Sequence, residues 1–176
     1  MTANLTSNIW KLTNFLENTN SKFNKEEILS NLPEGLIDDA IKSISTWENY
    51  SPTPLVKLNK LNDQLKFKNI YYKDEDKRFD LKSFKALGGA FAVYKIASEK
   101  ENITVSTATA GNHGRSVAWG AQRLGLKCKI FISEFVSESR AEAMRKLDAE
   151  VIRVKGNYDN SLKECIKQSK KNNWEI

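Results

Sequence analysis

From Asn69 onward the chain alternates short apolar runs with longer helical stretches, and this alternation limits the possible fold more than any other feature. Residues 70–72, 103–106, 127–132 and 151–154 read as strands, and 174–176 as the start of another. Between them, 83 to about 100, 112–124, 137 to about 148 and 159 to about 171 read as helices. Gly125 closes the second of these, and Ser137 and Asp159 are read as caps of the last two. Strands separated by helices in this way form βαβ units and a parallel sheet, giving an α/β fold with flanking helices. Ligands of such sheets sit beyond the carboxyl ends of the strands. The loop after the 103–106 strand is therefore a natural site, and it is also glycine-containing.

Upstream the pattern is different. The first 20 residues are polar with scattered aromatics and read as an irregular arm. Asn24 opens a short helix that stops at Pro33, and Leu36, Ile37, Ala40, Ile41, Ile44 and Trp47 lie at helical spacing. Pro52 and Pro54 in the run SPTPL, residues 51–55, exclude helix and favour extended chain. The reading divides the chain into a helical arm (1–50), the N-terminal part of a larger domain (51–90) and a smaller α/β domain (91–176). The last strand is cut after three residues, where strands usually run about four to eight. The expectation is therefore an architecture that is C-terminally incomplete.

Composition excludes several classes. With 40% hydrophobic and 28% charged residues the 176-residue chain is ordinary globular protein. No apolar run approaches the roughly 18 residues of a membrane helix, and Met1–Trp10 lacks the pattern of a secretory signal. The net charge of +6 comes from lysines interleaved with acids, as in Lys73–Arg78, and reads as solvated surface rather than a nucleic-acid footprint. Lys167–Lys171 falls at a helix end, where cations suit the macrodipole. Two cysteines, Cys128 and Cys165, fit no metal spacing and read as reduced thiols of a cytoplasmic protein. The single histidine leaves neither a zinc site nor a Ser-His-Asp triad in this segment. No metal site is expected, and no P-loop is present.

Two motifs carry chemistry. In RFDLKSFKALGGAF, residues 78–91, Lys85 stands near a helix start, where the dipole disfavours a cation. A lowered pKa there would supply the neutral amine that condenses with an aldehyde cofactor. Gly88 and Gly89 each cost helix stability of order 1 kcal/mol, as expected where something approaches the backbone closely. The residues alone also allow an exposed lysine beside two packing glycines. In STATAGNHGRSVAWGA, residues 106–121, a strand runs into Gly111–Gly114 and a helix. Backbone amides at such a junction face an anion, and Thr107, Thr109, Asn112 and His113 add side-chain donors. An ordinary capped βα turn is the other reading of these residues.

SPTPL (51–55), SFKALGG (83–89) and TAGNHG (109–114), in this order, resemble the fold-type II pyridoxal-phosphate (PLP) enzymes, whose fold is that of tryptophan synthase β. Within that family KDEDKRFDLKSFKALGG (73–89), GNHGRSVAWGAQRLG (111–125) and GNYDNSLKECIKQSKKNNWEI (156–176) are most similar to the diaminopropionate ammonia-lyases. The resemblance covers residue 50 onward. It implies PLP as cofactor, with Lys85 as the lysine that carries it and later handles the substrate α-proton. It implies Phe84 as that lysine's neighbour and Asn112 as the contact to the cofactor's 3-hydroxyl oxygen. Thr109, Ala110, Gly111, Asn112 and His113 correspond to the loop for the substrate carboxylate. The implied activity is α,β-elimination of ammonia from 2,3-diaminopropionate to give pyruvate, in a homodimer when full-length. One position departs: those lyases typically carry Asp where this chain has Ala110, and that Asp is thought to serve the D-isomer. Dehydratases often have alanine there, which keeps a serine/threonine dehydratase open as an alternative. The family's phosphate loop and the residue facing the pyridine nitrogen lie further along than residue 176. A non-catalytic truncated remnant is therefore the other alternative.

Overall fold

The computed structural model describes residues 24–32, 35–65 and 67–176; the arm expected at residues 1–20 lies outside them. The described chain divides into two compact units, one containing residues up to Leu36 together with Leu55–Tyr72, the other Ile37–Pro54 with Lys73–Ile176.

The smaller unit holds α1 (Lys25–Ser30), β1 (Leu55–Lys57) and α3 (Asn59–Leu65), and the two-stranded sheet of β1 with β2 (Tyr71–Lys73) begins here. Asn24 caps α1 by accepting the Glu27 N–H at 3.2 Å, as its side-chain chemistry predicts. The buried Asn62 accepts the Ile70 N–H at 2.7 Å and so fixes the return of the chain.

The larger unit contains most of α2 (Leu36–Ser45), then α4 (Lys85–Glu99), β3 (Thr104–Ala108), α5 (Asn112–Arg123), β4 (Lys127–Ser133), α6 (Glu138–Arg145), β5 (Glu150–Val154) and α7 (Tyr158–Asn172). The strands form a parallel sheet in the order β3-β4-β5, with Val105 opposite Cys128 and Ile130 opposite Val151. Side chains alternate across the central strand β4. Cys128, Ile130 and Ile132 pack with Val117, Ala118 and Ala121 of α5 and Ala141 and Met144 of α6. Phe131, with Ala108, faces Cys165 and Leu162 of α7. Helices thus cover both faces, as a parallel sheet requires. The strand expected at 174–176 is present as a single parallel bridge, Val105 to Glu175, held by Ser106 N–H to Glu175 O at 2.7 Å.

Helix ends refine the sequence reading. Gly125 takes φ +64° after α5, with Leu126 N–H to Ala121 O and Gly125 N–H to Gln122 O; this is the glycine-closed end the sequence suggested. Asn157, not Asp159, caps α7: it accepts the Asn160 N–H while Asn160 accepts the Asn157 N–H. An amide side chain can do both jobs. Ser137 precedes α6 but its hydroxyl meets Ser139, leaving the helix without a side-chain cap. α6 also ends earlier than expected, at Arg145, because Asp148 turns left-handed at φ +60°. The helix α3 was not anticipated.

Candidate functional site

Lys85 is the first residue of α4. Its N–H goes to the Ser83 hydroxyl at 3.2 Å, and its Nζ stands 5.5 Å from the centroid of the exposed Phe84 ring. The side chain is solvent-exposed. The segment leading to it is not free to wander. Arg78 is buried and donates from Nε to Glu75 Oε2 at 2.8 Å, from Nη2 to Thr53 Oγ1 at 3.0 Å and from Nη1 to Ser51 O at 3.1 Å. This ties the Ser51–Thr53 stretch to the approach to Lys85. Phe79 is buried against Trp119, with ring centroids 4.6 Å apart, and Trp47 lies 5.9 Å from it.

The second motif follows β3. Thr109, buried, donates its N–H to Phe131 O at 3.0 Å and accepts the Gly111 N–H at 3.2 Å. That bond turns the chain into α5 and engages one amide of the turn internally. The first-turn amides of α5, from Asn112 and His113, have no carbonyl four residues behind them within the helix. Ala110 and Asn112 are exposed, and the Ala110 carbonyl accepts from Arg140 Nη1 at 3.3 Å. Gly114 is required by packing: a Cβ there would lie 2.4 Å from Thr109 Cγ2 and 2.7 Å from Met144 Sδ.

The two motifs meet. The pKa of His113 is held below its ordinary value, first by the protein atoms crowding its ring and second by the charge of Lys85. His113 also lines a cavity of about 180 Å³ with Gly89 and Val93 of α4, Thr107 of β3 and Val117 of α5. Of the residues expected from sequence, Lys85, Phe84, Thr109, Ala110, Gly111, Asn112 and His113 all fall at the starts of α4 and α5, and Thr109 is the one that is buried. The paired glycines serve different ends. A Cβ on Gly89 would lie 2.5 Å from Ser116 Oγ, so the close approach there is by α5, whereas nothing lies within 4 Å of one on Gly88.

Sequence reasoning passed over Arg78 and Arg115. Arg115 Nη1 donates to Leu81 O at 3.0 Å, across to the Lys85 segment, and its Nε is buried without a partner among the described residues. An arginine between a GNHG turn and an apolar helix face was the available signal. Among the described residues no group of His, Cys, Asp and Glu could hold a metal, and no helix is long and apolar enough to cross a membrane.

Residues 46–176 match the family model described as pyridoxal-phosphate dependent enzyme. Diaminopropionate ammonia-lyase of Escherichia coli strain K12 is 37% identical over 145 residues, covering 72% of this chain and 36% of the relative. The biosynthetic L-threonine dehydratase of Haemophilus influenzae is 33% identical over 127 residues, covering 72% and 24%. The crystal structure of the Escherichia coli ammonia-lyase in complex with an aminoacrylate-PLP azomethine reaction intermediate superposes with a TM-score of 0.75 at 36% identity, over 78% of this chain and 39% of that one. The chain thus spans little more than a third of the length of the ammonia-lyase it matches.

Proposed function

This chain belongs to the pyridoxal-phosphate-dependent enzymes, and on that premise we propose that it carries the reacting lysine and the carboxylate-binding turn of an ammonia-lyase. The substrate in this reading is 2,3-diaminopropionate, which loses ammonia by α,β-elimination to give pyruvate. The observation that supports it most is the close packing of α4 on α5, where a Cβ on Gly89 would lie 2.5 Å from Ser116 Oγ, which brings the exposed amine at the start of α4 and the Gly111–His113 turn at the start of α5 to one end of the helix pair.

The residues fit one end of the cofactor. Lys85 offers a solvent-facing amine beside an exposed aromatic, the space next to Gly88 is open, and Asn112 is exposed at the first position of α5. Lys85 would hold PLP covalently, with Phe84 beside it and Asn112 toward the 3-hydroxyl oxygen. When bound, PLP supplies the electron sink for charge left on the substrate α-carbon. Thr109, Ala110, Gly111, Asn112 and His113 hold the substrate carboxylate, the first-turn amides of α5 facing its charge. That grip turns the α-C–H toward Lys85 Nζ, which takes the proton. His113, with its lowered pKa, is neutral at pH 7 and adds a hydrogen-bonding ring without a second cation.

Ala110 favours a second reading. With no carboxylate before the turn, a hydroxy-amino acid remains a candidate substrate, and the similarity to L-threonine dehydratase points the same way. In either reading residues 51–90 belong to the larger PLP domain and 91–176 form the smaller one, the full-length assembly is a homodimer, and the two buried free thiols agree with a reducing cytoplasm.

Incubation with PLP, borohydride reduction and peptide mass spectrometry test the proposal. The expected product is a phosphopyridoxyl group on Lys85, absent from Lys85→Ala; a label on another lysine refutes the assignment. Keto acid formed from L-2,3-diaminopropionate but not from L-threonine or L-serine separates the first reading from the second.

A further inference from the structure

The backbone entering Lys85 is strained. Phe79, Asp80 and Lys82 have φ of +48°, +58° and +55°, three left-handed residues within four positions and none of them glycine. A side chain with a Cβ is disfavoured there, so such a run persists only where its surroundings over-determine it.

The surroundings are visible on every side. Arg78 meets both oxygens of Glu75, at 2.8 and 3.1 Å, and gives two further hydrogen bonds, to Thr53 Oγ1 and Ser51 O. Thr53 in turn donates to Glu75 Oε1, and its carbonyl accepts from Lys73 Nζ. The Phe79 ring is packed among Trp47, Tyr50 and Trp119, and Leu81 is buried. The Leu81 carbonyl is held by Arg115 of α5. A planar guanidinium satisfies two carboxylate oxygens and two further acceptors at once, which an ammonium cannot do from one position.

We infer that the Glu75–Arg78 pair, with Thr53, is a positioning device that holds Phe79, Asp80 and Lys82 left-handed and so fixes where the Lys85 amine stands relative to His113. Arg78 acts through the loop: its hydrogen bonds go to Glu75, Thr53 and Ser51. The consequence for catalysis rests on the proposed role of Lys85; the geometric claim does not, and a phosphopyridoxyl label found on another lysine would leave it standing.

His113 is the only histidine, so its NMR titration gives one unambiguous signal, and Lys85 is the charge that depresses it. In Lys85→Met the His113 pKa rises and sets the reference. In Arg78→Gln it rises toward that reference, and in the double variant it rises no further. Adding Lys82→Gly and Asp80→Gly to Arg78→Gln brings it part of the way back, because glycine reaches positive φ without the cost of a Cβ. Equal rises on Arg78→Gln with and without Lys85 would overturn the inference. Glu75→Gln, which keeps the Arg78 bonds to Ser51 and Thr53, serves as the milder variant should Arg78→Gln fail to fold. A second measurement is the rate of amine modification at Lys85 relative to the other lysines, read by mass spectrometry. A change at Lys85 alone supports positioning. An unchanged Lys85 rate in both Arg78→Gln and Glu75→Gln, or in the one that folds, overturns it whatever His113 reports.

Discussion

Alanine at Gly88 and at Gly89 should move stability in opposite directions, although the two positions are adjacent in one helix. Replacing a helix-interior glycine by alanine is worth about 0.5–1 kcal/mol from backbone entropy alone. At Gly88 nothing lies within 4 Å of the new methyl group, so that gain is realised in full. At Gly89 the methyl would lie 2.5 Å from Ser116 Oγ and 2.8 Å from Ser116 Cβ. The Cβ cannot rotate away, so α4 and α5 must separate. Overpacking of this kind costs about 1–3 kcal/mol, and separation stretches the buried bond from Ala90 N–H to Ser116 Oγ, now 3.0 Å, which is worth about 1 kcal/mol. The balance is a loss of about 1–3 kcal/mol for Gly89→Ala against a gain of up to about 1 kcal/mol for Gly88→Ala. At about 2–4 °C per kcal/mol for a chain of this size, thermal unfolding followed by circular dichroism resolves the two. Ser116→Gly should recover part of the Gly89→Ala loss by removing both clashing atoms. Shifts of the same sign for both alanines, or no recovery with Ser116→Gly, would refute the account of the seam.

Asn157→Ala removes the side-chain oxygen that accepts the Asn160 N–H at the start of α7, keeps the reverse bond from the Asn157 N–H to Asn160, and should cost about 1 kcal/mol in urea unfolding, with Asn157→Asp losing less. Burial pushes the Cys128 thiol up to about 12, so alkylation at pH 8 should wait for unfolding; rapid native-state labelling would show the β4 face to be open. The lowered pKa of His113 means the folded chain binds that proton less tightly than the unfolded one. Its effect is absent well above 6.5, grows as pH falls through that value, and is complete below the folded pKa. Stability should therefore drop on acidification in this window, and His113→Gln should flatten the drop. Glu75 and Glu138, whose pKa values are lowered by their arginine partners, add their own losses only at lower pH, near and below 4.5.

The α/β class and the strand positions were legible because each depends on local pattern. Ile130 and Ile132 against Phe131 show the period of two, and Val117, Ala118 and Ala121 the helical one. Caps were less legible, since Asn157 and Asp159 are both good capping residues and only the chain path decides between them. The clamp on the Lys85 loop was not legible. KDEDKR reads as solvated charge, yet Glu75 and Arg78 within it are drawn inward by Thr53, more than 20 positions earlier. A partner that distant leaves no local trace. The left-handed turns at Phe79 and Lys82 were equally hidden, because neither residue type advertises positive φ.

The glycine pair shows how a correct location can come with an incomplete reason. Gly88 and Gly89 were expected to let something approach the backbone closely; at Gly89 that something is Ser116. That contact still bears on the site. Gly89 is the fifth residue of α4 and Ser116 the fifth of α5. With a rise of about 1.5 Å per residue, the point where the helices touch lies about 6 Å from each of their first residues, Lys85 and Asn112. A second close contact, where a Cβ on Gly120 would lie 2.8 Å from Ala90 Cα, prevents α5 from pivoting about the first. Two motifs separated by more than 20 residues are thereby held start to start. The small residues of the seam set the distance between the amine and the turn, and the arginine clamp sets the direction from which the amine arrives.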